Sequence, residues 1–342
     1  MRAVVIREHG GPEVLRIEER PVPQPGPGEV RVRVRAVGVN HLDLWVRRGV
    51  PGHPFPLPIV PGSDVVGTVD ALGAGTRGFG EGDAVVVAPG YSCGRCDACR
   101  SGREPLCREY GILGESRDGG CAEFLVVRSS SLFPMPARLD FASAAAVPLV
   151  FLTAWHMLVD RARVRPGETV LVHAAGSGVS SAAIQIARLL GARVLATAGS
   201  PEKCEKALRL GAEEAVNHRV SDFGREARRW TSGRGVDVAV DHVGAETFDG
   251  TIRCLAKGGR YVTCGATSGY EMKTDFRLVF FKGLSILGST MGSSHELSAV
   301  LAHVAAGRLD PVLDRRFALE EVAEAHRHLE SRTGFGKTVL VL

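Results

Sequence analysis

Side-chain amides are almost absent from this sequence: asparagine occurs only at Asn40 and Asn217, and glutamine only at Gln24 and Gln185. Lysine is nearly as scarce, with six positions, so arginine carries most of the positive charge. Depletion of thermolabile amides fits a thermophilic protein, although a GC-rich genome biases codons the same way. No run of about 18 apolar residues occurs, which excludes a membrane-spanning helix of ordinary length. Charge interrupts the first apolar stretch at Arg7 and Glu8, so no secretory signal is read and a cytoplasmic location is expected. A net charge of +4 without any Lys/Arg block gives no footing for nucleic acid as a partner, and none is expected. With 44% hydrophobic and 23% charged residues, disorder is excluded as the main state.

At 342 residues the chain is long enough for two domains. Its first third is rich in Gly, Pro and Val. Glu29–Ala36 alternates strictly, as a strand with one buried face does, and Gly82–Ala88 reads as another strand led by turn residues. Many short strands with Gly/Pro turns predict a barrel-like β domain. The character changes near residue 130. Asp140–Val159 reads as helix, and strands and helices then alternate. Strands are expected over Thr169–Ala174, Arg193–Ala198, Val236–Val240 and Arg260–Cys264; helices over Ser180–Leu190, Pro201–Leu210 and Ala245–Leu255. Repeated βαβ units predict a doubly wound parallel sheet, so the chain is α/β overall. Helices over His295–Gly307 and Glu320–Ser331 follow, and a last strand from Lys337 is returned to the first domain. The expected division is therefore 1–129 with 295–342, and 130–294.

Two local patterns carry chemistry. The strand Val170–His173 runs into Ala174-Ala175-Gly176-Ser177-Gly178-Val179-Ser180 and then a helix. The N–H groups of such a turn bind pyrophosphate, and small residues allow its close approach. The glycine pattern is degenerate, and a plain packing turn is the alternative; its place inside successive βαβ units favours a nucleotide site. A fold of this kind that prefers NAD carries Asp or Glu at the end of the second strand. Here Ala198 stands there, followed by Ser200 and Lys203, which suit a 2′-phosphate. NADP(H) is expected over NAD(H), although Lys203 also reads as one solvated helix charge among many. The second pattern is Cys93, Cys96, Cys99 and Cys107. Four thiols at x2, x2 and x7 spacing predict one closed, structural zinc per chain, with an iron–sulfur cluster as the rival. Cys121, Cys204, Cys254 and Cys264 are dispersed and read as buried small hydrophobes.

The whole chain resembles the medium-chain dehydrogenase/reductase superfamily, which includes zinc alcohol dehydrogenases and quinone oxidoreductases. The likeness rests on the cysteine quartet and the cofactor turn, together with Pro61–Gly67, Gly80–Asp83, Leu152–Trp155, Arg209–Ala212 and Gly258–Arg260 with Gly265. It implies a GroES-like barrel domain interrupted by a Rossmann domain, an NAD(P)-dependent oxidoreductase acting on a small molecule, and a homodimer or homotetramer paired through the strand Leu284–Thr290. It also implies that Thr153, Val243 and Gly265 lie along the cofactor, and that Arg332 and Lys337 fall where relatives reach the phosphates. The family's catalytic zinc positions hold Asn40, Ser63 and Leu149 here, and an amide, a hydroxyl and an alkyl group cannot hold Zn²⁺. Gly-Val-Asn and Pro-Gly-Ser-Asp-Val are similar to the zinc-free quinone reductase branch. Quinone or enone reduction is therefore the favoured reading, with Asn40 as donor to the developing oxyanion, or else capping a turn. Asp43 beside His41 is a candidate proton relay, whereas His53 reads as an exposed loop residue. Asp64 is the candidate carboxylate if a metal is held by unexpected ligands. An alcohol dehydrogenase of the zinc type and a non-catalytic nucleotide-binding protein remain as alternatives.

Overall fold

The computed structural model describes residues 1–342, which form two compact units: Met1–Leu149 with Gly292–Leu342, and Val150–Met291. In the first unit, the strand Glu29–Val39 buries Val30, Val32 and Val34 and turns Arg31 and Arg33 outward. This is the period-2 alternation of a half-covered sheet. Both arginines bond Asp70 on the neighbouring antiparallel strand Asp64–Leu72, at 2.7 and 2.8 Å. The strand Lys337–Val341 adds antiparallel to the far end of Glu29–Val39, pairing Thr338 with Val39. The expected return of the chain's last strand is therefore observed, and it completes a seven-stranded sheet.

The second unit is a six-stranded sheet, parallel throughout. Its spatial order is Glu214–Asn217, Arg193–Ala198, Thr169–Val172, Val236–Asp241, Leu255–Thr263 and Ser285–Gly288. The order reverses beside Thr169–Val172, so the carboxyl end of that strand is the switch point where such sheets bind ligand.

Three expectations need correction. The boundary falls at 149/150 rather than 129/130. The helix Phe141–Ala145 packs on the first unit's sheet so closely that a Cβ on Gly38 would stand 2.4 Å from the Ala145 carbonyl oxygen. The other boundary falls at 291/292. The expected helix over Asp140–Val159 is broken into Phe141–Ala145, Pro148–Trp155 and a wider-wound turn, His156–Arg161. Finally, the strand Glu214–Asn217 and the helix Phe223–Trp230 had no prior expectation: the strand's four residues of mixed polarity give no period to read, whereas Phe223, Ala227 and Trp230 do stand at helical spacing, a signal that sequence reasoning missed.

Candidate active site

At the amino end of the helix His41–Arg48, four polar side chains are buried together: Asn40, Asp43, Asp64 and Lys337 are each no more than 5% exposed. Lys337 donates to Val39 O (2.9 Å), Asn40 Oδ1 (2.5 Å) and Asp64 Oδ2 (2.9 Å), which uses all three ammonium hydrogens. Because an ammonium only donates, Asn40 must present its oxygen to it. The Asn40 Nδ2 group then donates to Asp64 Oδ2 at 2.9 Å and Gly38 O at 3.2 Å. Asp64 Oδ1 accepts from the Leu149 N–H at 2.6 Å. Gly38 is required here, since a Cβ would also meet Asp64 Oδ2 at 2.9 Å.

Two expectations change. Asn40 is not a free donor: both amide hydrogens have partners, so an oxyanion contact from it would break one of those bonds. Lys337 does not reach out toward phosphates; it neutralises Asp64 inside the first unit. The donor set also fails as a catalytic metal site. Asn40 offers its oxygen to an ammonium, Asp64 is already paired with that cation, and Leu149 brings only its N–H. Ser63 Oγ, at the remaining position, is buried without any partner.

Asp43 accepts from the N–H groups of Asn40 (2.7 Å) and Gly62 (3.0 Å). Burial nevertheless pushes its carboxyl up to about 6, because the loss of water outweighs those N–H groups and the Lys337 charge. His53 is 56% exposed, 3.9 Å from Glu115, as a loop histidine is expected to be.

The four cysteines converge as the spacing predicts. Their sulfurs all lie within 4.8 Å of one another, with Cys93–Cys99 at 3.8 Å and Cys96–Cys99 at 3.5 Å. Tetrahedral zinc with ~2.3 Å bonds requires sulfurs about 3.8 Å apart. The Cys96 and Glu109 N–H groups point at the Cys93 and Cys107 sulfurs, both at 3.4 Å. N–H donors from Arg95 and Cys96 pull the Cys93 thiol down to about 6, toward the thiolate that binds metal. With four thiolate ligands and no open position, a zinc ion bound here would hold the loop in shape rather than take part in the reaction. The same loop supplies Glu104, whose carboxylate accepts from the Ser294 N–H at 2.6 Å, at the start of the helix Ser294–Ala305.

In the second unit, Ser177 caps the helix Gly178–Leu189 and accepts from the Ser180 N–H at 3.0 Å. The first-turn N–H groups of Gly178 and Val179 have no helical carbonyl to bond and sit half-exposed with Gly176 and Ser177. This is a fit for a dinucleotide's phosphates. Val243 and Gly265 follow the carboxyl ends of two adjacent strands, and Thr153 is buried with its hydroxyl 3.9 Å from the Met291 sulfur. Ser200 caps the helix Pro201–Arg209 by accepting from the Lys203 N–H at 3.3 Å. Sequence reasoning missed its other partner: the Ser200 hydroxyl also bonds Glu202 and helps to lower that carboxyl's pKa, behind the helix's own N–H. It missed Arg219 and His218 as well, whose side chains approach within 3.4 and 3.6 Å of where a Gly199 Cβ would stand.

Comparison with known proteins bears on the whole chain. The alcohol dehydrogenase GroES-like domain matches residues 26–137, and the zinc-binding dehydrogenase family matches residues 178–306. Human quinone oxidoreductase is 33% identical, with 100% of this chain and 98% of that protein aligned. The chain belongs to the medium-chain dehydrogenase/reductase family. It is an NAD(P)-dependent oxidoreductase of the alcohol dehydrogenase or quinone reductase type. The NAD-dependent alcohol dehydrogenase of Sulfurisphaera tokodaii is 32% identical, with both chains aligned in full. A solved NAD-dependent alcohol dehydrogenase is 55% identical, covers both chains completely and superposes with a TM-score of 0.97. No helix of this medium-chain dehydrogenase is long and apolar enough to cross a membrane.

Proposed function

We propose that the chain interconverts alcohols and carbonyl compounds by hydride transfer to and from a nicotinamide coenzyme. The observation that carries this is the 55% identity, over both full chains, to a solved NAD-dependent alcohol dehydrogenase. The reading displaces the sequence-based preference for quinone or enone reduction to second place. That second reading keeps one specific support: Asn40, Ser63 and Leu149 do not form a metal site. Alcohol oxidation without a Lewis acid must dispose of the hydroxyl proton by other means. We assign that proton to Asp43, whose carboxyl titrates near 6 and can hold or release it close to neutrality. Asp64 and Asn40, locked by Lys337, position the loop that carries Asp43. Thr153, Gly176, Ser177, Gly178, Val179, Val243 and Gly265 are proposed to line the coenzyme.

A substrate panel on metal-quantified enzyme separates the two readings. Turnover of secondary or primary alcohols, and of their carbonyl products in reverse, is expected. Turnover confined to quinones or α,β-unsaturated carbonyls would promote the second reading.

For the coenzyme, Lys203, Arg219 and His218 support NADP(H), whereas Glu202 opposes a 2′-phosphate and suits a ribose diol. We propose the phosphorylated form, because the cationic and neutral groups outnumber the one carboxylate. Lys203→Ala should then weaken NADPH and spare NADH in calorimetry.

A homodimer or tetramer is proposed from the edge strand Ser285–Gly288, where Ile286 is 46% exposed, and from Phe276, Phe280 and Phe281, which are 69%, 60% and 73% exposed. An unpaired strand edge beside bare aromatic rings invites a second copy.

A further inference from the structure

Beneath the phosphate turn lies His242, which follows the strand Val236–Asp241 and is 9% exposed. Its Nε2 is 2.8 Å from Ser177 Oγ and 2.9 Å from Ser180 Oγ. Counting protons fixes the direction of both contacts. The Ser180 hydroxyl is 2.5 Å from the His173 carbonyl oxygen, which can only accept, so the single Ser180 hydrogen is spent there. Ser180 Oγ can therefore only accept from His242, and Nε2 must carry a hydrogen. If it did not, two lone pairs would face each other at 2.9 Å. Burial lowers the His242 pKa, against the Asp241 charge and a bond to its own backbone, which favours the neutral ring; the contact with Ser180 places the hydrogen on Nε2.

That hydrogen is shared between Ser180 Oγ and Ser177 Oγ. Ser177 thus accepts twice, from Nε2–H and from the Ser180 N–H at 3.0 Å. Its own hydrogen has no acceptor in this set. It belongs to a half-exposed side chain at the head of a 12-residue helix, beside the open N–H groups of Gly178 and Val179. Two donors onto one hydroxyl oxygen also polarise it and strengthen its donation to an anion.

We propose that His242 is a positioning residue for the coenzyme, holding Ser177 through Nε2–H so that the serine hydroxyl donates to a phosphate oxygen. The proposal rests on the dinucleotide reading of the turn.

The test measures NADH, NADPH and ADP-ribose binding to the full chain by calorimetry. Ser177→Ala should weaken all three by about tenfold or more, the value of a hydrogen bond to a charged group. His242→Ala should weaken them several-fold in the wild-type background and not at all in the Ser177→Ala background. His242→Gln, which keeps a donor near Nε2, should restore affinity to within about twofold of wild type. Additive losses, or a Ser177→Ala variant that binds as wild type does, would overturn the proposal. Nitrogen-15 spectra of the wild-type protein give a check that needs no variant: His242 must be the Nε2–H tautomer, and the Nδ1–H form refutes the assignment. Failure of the wild-type protein to bind any of the three ligands is a different result, and it removes the dinucleotide reading itself together with this proposal.

Discussion

Replacing Lys337 by Met is the sharpest probe of the buried cluster. The substitution keeps most of the side-chain volume and removes one charge and three hydrogen bonds, to Val39 O, Asn40 Oδ1 and Asp64 Oδ2. Asp64 is 0% exposed and would keep only the Asn40 and Leu149 donors. Removing one member of a buried pair costs about 3–5 kcal/mol, because the other charge is left uncompensated. For a domain of this size that is roughly 6–20 °C in Tm. Calorimetric unfolding should show this loss at neutral pH. It should shrink as the pH falls, because a lone buried carboxylate has a raised pKa and regains neutrality by taking up a proton. Adding Asp64→Asn should recover at least about 2 kcal/mol, since it removes the stranded charge; the two losses must not add. If Lys337 instead served the coenzyme's phosphates, Lys337→Met would weaken coenzyme binding and leave Tm unchanged. That result would refute the reasoning.

Purified protein is expected to contain one zinc per chain, and Cys99→Ser should lower Tm by roughly 5–10 °C while sparing the chemical step; a ratio near two by metal analysis would contradict the unfit donor set at Asn40, Ser63 and Leu149. Burial raises the Asp43 carboxyl from 3.8 to about 6, so the folded state holds a proton that the unfolded chain has lost. Wild-type stability measured against Asp43→Asn should therefore fall by up to about 3 kcal/mol as pH rises from about 4 to about 6, and a profile that stays nearly flat over that window would show the carboxyl to be ionised throughout. Light scattering at micromolar concentration should give a dimer or tetramer, with Ile286→Lys shifting it toward monomer; a monomeric wild type removes the edge-strand argument.

What could be read from the sequence was what is local. The cysteine quartet spans 15 residues and the 174–180 turn seven, and spacing alone conveys their chemistry. The seam of Val30, Val32 and Val34 was legible for the same reason. The Lys337–Asp64 pair joins residues 273 positions apart. No periodicity records such a contact, and Lys337 was placed at the phosphates by family likeness. Asn40 shows the complementary limit. Its residue type suggested a donor, but only the structure shows that an ammonium claims its oxygen and that Asp64 and Gly38 claim its hydrogens. His242 gave no signal at all, since one histidine after a strand looks the same whether it packs or positions.

The two long helices that begin at Gly178 and Ser294 meet their N-terminal charge in opposite ways. Each concentrates a partial positive charge at its first turn. At Ser294 that charge is already answered by Glu104, a carboxylate borrowed from the metal loop. At Gly178 the chain answers it with no carboxylate, only with the neutral Ser177 hydroxyl, which accepts from the Ser180 N–H. The molecule thus carries an internal anion at one helix head and none at the other. A free phosphate would have to compete with two tethered carboxylates at the first, Glu104 and the helix's own Glu296, and with none at the second, whose first turn carries no acid.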